Sequence, residues 1–256
     1  MSGPHGHSLH FHGHSPIHRL PPEVKIAAAL TFVAAVVATP REAVWAFGLH
    51  LLALVVVIAV AQVPAGFLAR RMVIEVPFVV LAVTMPFIST GPTRPLGPFE
   101  VSVAGLWAGW ALFAKGSLGA LTALALAATT EAPDVVRGLA RLRLPAQIVL
   151  IMSFMIRYLD VVSTELRRMR IARESRGHAV RGIRAWPVLA STAGALFVRS
   201  YERGERVHLA MLSRGFQGRV DLGEGGSAGG RDWLAAALPL TGAAIAATAW
   251  LSGAGR

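Results

Sequence analysis

The sequence predicts an all-α integral membrane protein with about five transmembrane helices and a cytoplasmic domain of long amphipathic helices. Three observations carry that prediction. Hydrophobic residues make up 54% of the 256 and charged residues 15%, and the mean hydropathy is +0.55, well outside the balance of a soluble domain. Several windows approach the ~20 apolar residues that cross a bilayer. Between them lies an arginine-rich block, Glu131 to Arg231, whose apolar residues recur at helical spacing. The chain divides accordingly into a His-rich leader (1–22), four transmembrane helices (23–130), the cytoplasmic helices (131–222), a Gly-rich linker (223–232) and a last transmembrane helix (233–256).

The leader holds His5, His7, His10, His12, His14 and His18. Alternate imidazoles are neutral ligands for Ni²⁺, Co²⁺ or Zn²⁺, so the first five are weak metal candidates, although Gly3, Gly6 and Gly13 impose no fixed geometry. The leader lacks the order of a cleaved signal peptide, so the first span is expected to stay in the mature protein. Ser15 to Lys25 is proline-stiffened and basic, and reads as a cytoplasmic interface anchor.

The first span is read as Val24 to Thr39, ending in a tight turn at Pro40-Arg41-Glu42, and the second as Ala43 to Gln62, followed by Pro64-Ala65-Gly66 and Arg70-Arg71. The third, Met72 to Thr90, contains Pro77 and Pro86, which neighbouring helices can accommodate. A rigid loop, Gly91 to Pro98, leads to the fourth span, Ser102 to Thr129, and the fifth is Trp233 to Leu251. Small residues dominate spans one, four and five, which suits close helix packing.

Counting basic residues orients the chain. With the 131–231 block inside, Arg19, Lys25, Arg70, Arg71 and all the block's arginines are cytoplasmic, leaving Arg41, Arg94 and Arg256 outside. The expected location is the cell membrane, multi-pass, with a cytoplasmic N-terminus. The excess of 25 Lys+Arg over 14 Asp+Glu is then a topology signal, and no nucleic-acid partner is expected. Glu75 and Lys115 are the ionisable residues within spans, where such groups often mark function, and a pair between them is one arrangement. His50 reads as a packing histidine.

Three helices are drawn within the block. The first, Glu131 to Leu144, follows a candidate cap at Thr129-Thr130. Pro145 suits the first turn of the second, which runs to Ser175-Arg176-Gly177, and the third runs from about Pro187 to Ser213-Arg214-Gly215. Glycine is the preferred residue just past a helix. An arginine in the last turn faces the negative end of its own macrodipole and offers a planar donor fork to carboxylates or carbonyls. Two such tips on long helices suggest a two-pronged recognition device.

Ser15-Pro16-Ile17-His18-Arg19-Leu20 with Pro22 and Lys25, then Thr129-Thr130 with Leu139, Leu142 and Pro145, then Arg157-Tyr158 with Glu165, and finally the two Arg-Gly tips, together resemble the transmembrane coupling protein (T component) of energy-coupling factor (ECF) transporters. The leader and Ser213-Arg214-Gly215-Phe216 are most similar to the CbiQ branch, which serves cobalt or nickel. The resemblance implies a subunit with no reaction of its own. It implies two ABC ATPase partners (CbiO-like), a membrane substrate-binding subunit (CbiM-like) and a small CbiN-like subunit. ATP and Mg would reside on the ATPases, and transported Co²⁺ or Ni²⁺ on the binding subunit. Carried onto this chain, the ATPase-docking residues are Ser175, Arg176, Gly177, Ser213, Arg214 and Gly215. Serine stands where many relatives have alanine.

The chain has no Gly-x-x-x-x-Gly-Lys-Ser/Thr loop, no His-Glu-x-x-His pair and no cysteine, so no catalytic residues are assigned. A coupling subunit of a vitamin ECF transporter is the alternative. A secondary metal-ion transporter would need a midplane site, for which the sequence offers only Glu75, Lys115 and His50.

Overall fold

The computed structural model describes residues 15–90, 92–96, 99–177, 186–218, 228–235 and 237–252. In chain order the helices are α1 (Pro16–Arg19), α2 (Pro22–Ala38), α3 (Val44–Val60), α4 (Ala65–Arg71), a 3-10 turn (Met72–Glu75), α5 (Val76–Ile88), α6 (Val103–Thr129), α7 (Ala132–Arg141), α8 (Ala146–Ser175), α9 (Trp186–Leu212), α10 (Gly230–Ala235) and α11 (Ala237–Leu251). Two short antiparallel strands, β1 (Thr93–Leu96) and β2 (Phe99–Ser102), precede α6, with Thr93 opposite Ser102. The fold is all-α, as the composition demands. The chain forms two compact units, residues 1–138 with 225–256, and residues 139–224. The leader histidines His5, His7, His10, His12 and His14 lie outside the described residues.

In the first unit α2, α3 and α6 enclose a core of Phe32, Val36, Phe47, Leu54, Ala114 and Leu118. Large apolar side chains elsewhere on these helices and on α5 stand outward, Leu52, Val83 and Ile88 among them. That inversion of the soluble pattern is what lipid as solvent permits. Three helical stretches are long and apolar enough to cross a membrane: Ala65–Ile88, Val103–Thr129 and Ala146–Ser175, with Val44–Val60 and Thr241–Leu251 shorter. The last of the three was expected as a cytoplasmic helix throughout, yet its first half is as apolar as a span.

Helix α5 packs on α6 at backbone distance. Gly105 and Gly109, one helical turn apart, face it: a Cβ on Gly105 would come to 2.6 Å from the Met85 carbonyl oxygen and 2.7 Å from Pro86 Cα, and one on Gly109 would collide with the Ala82 carbonyl. Pro86 supplies no N–H to that carbonyl, so the Gly-x-x-x-Gly face of α6 seats where the α5 ladder is already open.

Several expectations are corrected. The stretch expected to link spans two and three is helical: Arg71 lies in α4 with its guanidinium 3.8 Å from the Phe67 ring centroid, a cation–π pair one turn apart. The loop expected after span three includes a strand. The Thr129-Thr130 cap does not form: the Thr129 hydroxyl donates back to the Ala125 carbonyl (2.9 Å), while the buried Thr130 hydroxyl has no partner. Glu75 and Lys115 do not pair. The Ser117 hydroxyl donates to Glu75, and Lys115 Nζ donates to the Val37 carbonyl at 2.7 Å. His50 is fully buried, its Nε2 3.1 Å from Thr39 Oγ1 and its ring edge-on to Phe32. Because the Thr39 hydroxyl gives its one proton to the Ala35 carbonyl (2.9 Å), it accepts from His50, which assigns the proton to Nε2.

Candidate functional site

The second unit is built from α8 and α9. Few of their residues are buried in the described chain, and Met155, Leu159, Phe197 and Tyr201 are each about two-thirds exposed. What joins the helices is polar and light. Arg199 pairs with Glu165, the Arg173 guanidinium donates to Thr192 Oγ1 at 3.4 Å, and a groove beside them is lined by Phe154, Tyr158, Leu196 and Arg203. Residue numbers rise on α8 as they fall on α9, so the helices run in opposite senses.

Both candidate tips have one geometry. Ser175 and Ser213 occupy the last helical turn, Arg176 and Arg214 the C-cap, and Gly177 and Gly215 the residue after it, with φ of 76° and 81°. At the first tip the Gly177 amide donates to the Glu174 carbonyl (3.0 Å) and the Arg176 amide to Arg173 (3.1 Å). At the second the Gly215 amide donates to Leu212 and the Arg214 amide to Met211, both at 3.0 Å. There the Phe216 amide also reaches the Met211 carbonyl at 3.0 Å, completing the six-to-one bond of a Schellman end. The serine hydroxyls turn back onto the helix, Ser175 to Ile171 (2.9 Å) and Ser213 to Ala210 (3.0 Å), so they satisfy backbone carbonyls rather than a ligand.

All six tip residues are exposed. Around Arg214, the residues Met211, Gly215, Phe216 and Gln217 line an open hollow of mixed polar and apolar surface. Arg176 ends a more basic stretch, in which Arg170 pairs with Glu174 at 2.8 Å. At ~1.5 Å per residue, Arg176 lies about 17 Å beyond the Glu165–Arg199 contact and Arg214 about 22 Å beyond it, in opposite directions. The tips therefore occupy opposite ends of the helix pair. Sequence spacing alone left them side by side or apart.

No three His, Cys, Asp or Glu side chains converge on a metal-sized site among the described residues.

A model of the CbiQ family, described as cobalt transport protein, matches residues 13–222, from the leader through both tips. The chain belongs to the CbiQ family. It is 31% identical over 168 residues to the cobalt transport protein CbiQ of Rhodobacter capsulatus, covering 62% of this chain and 64% of that one. It is also 31% identical over 126 residues to an uncharacterized protein of Methanocaldococcus jannaschii, covering 48% and 47%. The chain thus spans just under two-thirds of the first relative and about half of the second. Against the energy-coupling factor transporter transmembrane protein EcfT of Bacillus selenitireducens it is 28% identical over 220 residues, covering 80% and 81%. The CbiQ match contains α1 to α9 and stops before α10, so it spans both arginine tips and the four N-terminal apolar segments.

Sequence reasoning missed a second cluster, at the start of α2. Lys25 Nζ donates to the carbonyls of Thr129 (2.9 Å) and His18 (3.2 Å), and the Glu23 carboxylate accepts from the Ala228 amide (3.1 Å). Lys25 stood among the residues that carry the resemblance and in the stretch read as an anchor, but nothing in the sequence gave its partners or singled out Glu23.

Proposed function

We propose that this chain is the transmembrane energy-coupling subunit of an ECF-type importer for cobalt or nickel. It is the non-catalytic link between two cytoplasmic ABC ATPases and a membrane substrate-binding subunit. Its N-terminus and the Ser175 and Arg214 ends of the 139–224 unit are placed on the cytoplasmic side, a reading that the basic-residue distribution supports. ATP and Mg belong to the ATPases, and the metal cargo to the binding subunit. The observation that carries the reading is the repeated Ser-Arg-Gly helix end with matched φ at both glycines, on a chain of the CbiQ family. One tip serves each ATPase. The arginine at each C-cap donates to acceptors in an ATPase groove, and nucleotide-driven movement of the ATPases displaces α8 and α9. The names of the Rhodobacter and Bacillus relatives support the cargo and the coupling role respectively.

The test is co-purification from detergent with the ATPases, comparing wild type, Arg176→Ala, Arg214→Ala and the double variant. Losing a charge-assisted hydrogen-bonding group costs ~1.5–3 kcal/mol, so each single change is expected to weaken assembly roughly tenfold to a hundredfold and the double to abolish it. Full assembly by the double variant overturns the docking role. ATP-driven uptake of radiolabelled Co²⁺ against Ni²⁺ by the reconstituted complex tests the cargo.

A further inference from the structure

A cleft of about 180 Å³ opens in the first unit between α1, α2, α3 and α6, walled by Leu20, Val24, Ala28, Leu54, Val57 and Leu126. Its lining runs from Thr122 to Thr129 on α6 and from Leu54 to Ala61 on α3. At ~1.5 Å per residue it therefore extends ~10 Å along the helices. A charge marks one end. Lys25 lines the cleft beside Thr129, the last residue of α6, and its Nζ donates to the carbonyls of Thr129 at 2.9 Å and His18 at 3.2 Å. An ammonium carries three protons, so one is left for an acceptor at that end. Asp134, the carboxylate whose charge acts on Lys25, is itself paired with Arg137 at 2.9 Å. Arg19, exposed, stands next to Leu20 at the same end. Away from Lys25 the cleft offers an occupant no hydroxyl proton, because Thr122 and Thr129 give theirs to the carbonyls of Leu118 (2.7 Å) and Ala125 (2.9 Å).

We propose that this cleft is a binding site for one anionic phospholipid, with an acyl chain lying along α3 and α6 and the phosphate held by Lys25. Water is a poor occupant: a buried water needs two to four polar partners, and the cleft supplies one N–H. A partner helix is too large, since a single turn ~10–12 Å across and ~5.4 Å tall fills over twice the volume. An alkyl chain fits, as an apolar cavity of ~150 Å³ already takes a benzene ring. The length agrees too, because ~10 Å is about two-thirds of one leaflet's share of the ~30 Å hydrocarbon core. Left empty, the apolar walls forfeit their dispersion contacts. The headgroup follows from charge. A choline cation beside the phosphate would meet Lys25 and Arg19, whereas a net-anionic headgroup meets only attraction, and basic pockets between membrane helices select such lipids. The lipid touches α1, α2, α3 and α6 together, and so fastens the short helix α1 to the membrane helices. Only the leaflet, the cytoplasmic one, rests on the proposed topology.

The experiment uses the complete chain in vesicles of mixed phosphatidylcholine and phosphatidylglycerol, with a trace of either lipid carrying a mid-chain diazirine. After illumination, labelled peptides are mapped by mass spectrometry. The phosphatidylglycerol probe is expected to label Leu54–Ala61 and Thr122–Thr129 about fivefold or more above both the phosphatidylcholine probe and the outward residues Val80 and Val83. Ala28→Phe, which fills the cleft, should remove that excess, whereas Gly119→Phe, on α6 with open space around it, should keep it. Lys25→Gln, which retains a donor without the charge, should bring the phosphatidylglycerol probe down to the level of phosphatidylcholine. Equal labelling by the two probes in wild type overturns the proposal. So does labelling spread evenly over the outward residues, which is bulk lipid only, or an excess that survives Ala28→Phe. If Lys25→Gln fails to fold, the wild-type comparison of the two probes decides the headgroup and Ala28→Phe decides the chain. No ATPase or metal is present, so failure of the coupling reading leaves this result standing.

Discussion

The tips make a sharp prediction because their glycines can be perturbed through the backbone alone. At Gly177 and Gly215 an added Cβ meets nothing within 4 Å, so a substitution there changes no packing. It acts only through φ, which is 76° and 81°, in the left-handed region. An L-residue in that region costs ~1–2 kcal/mol, which Asn partly escapes. If Gly215→Ala leaves that conformation, the bonds Gly215 N–H to Leu212 and Phe216 N–H to Met211 open together, and Arg214 loses its fixed direction. Binding must then restore the tip, so affinity for the ATPases should fall ~5- to 30-fold. Gly194, in the interior of α9, also has open space around it but no positive φ. There Ala should stabilise the helix by up to ~1 kcal/mol and leave affinity intact. Dissociation constants from fluorescence titration of detergent-purified variants should rank wild type, then Gly215→Asn, then Gly215→Ala, then Gly215→Val. Equal affinity for Gly215→Ala and Gly194→Ala, or Asn no better than Val, would refute the idea that cap geometry aims the arginine.

Other predictions follow from packing. Gly109→Ala should cost ~1–3 kcal/mol by forcing α6 off the Ala82 carbonyl, seen as a lower Tm in detergent, whereas Gly119→Ala on the same helix, with open space, should not. His50→Leu should destabilise by ~1–3 kcal/mol because it leaves the buried Thr39 hydroxyl without its donor, and Thr39→Val in addition should cost less than the sum of the two single changes. Breaking the exposed Glu165–Arg199 pair should cost no more than ~1 kcal/mol, with the loss shrinking at high salt, as measured by chemical denaturation of Glu165→Gln.

What was legible in the sequence was local. Pro145, Gly177 and Gly215 mark helix ends because their own backbones dictate it, and α8 and α9 stop where those residues stand. The spans were legible as apolar lengths, and α2, α3 and α6 begin and end within a few residues of the reading. Where a residue type serves two structures, the reading failed. Thr129 can cap the next helix or bond back to its own, and it does the latter. Arg70 and Arg71 break an apolar pattern, yet in α4 the Arg71 guanidinium rests on Phe67. The pairing of Glu75 with Lys115 depended on which turns of neighbouring helices lie level. No spacing within one helix carries that information, and Ser117 and Val37 are the partners instead.

The same limit applies to the site. Each tip could be read from three residues, but the relation between the tips could not, because it depends on the sense in which α8 and α9 pack. Glu165 with Arg199 and Arg173 with Thr192 decide that sense, and although Glu165 is among the residues that carry the resemblance, nothing in the sequence pairs it with Arg199. With the helices opposed, Arg176 and Arg214 stand up to ~40 Å apart along the pair, further than the width of a single groove. If both arginines are docking groups, they address two separate surfaces. One pair of helices then registers the distance between those surfaces, and a change in that distance on nucleotide binding must turn or shear the pair. A side-by-side plug would move with one partner and report nothing about the second. The weak polar contact between α8 and α9 suits the opposed arrangement, since two helices that must shear past one another cannot be locked by a deep apolar seam.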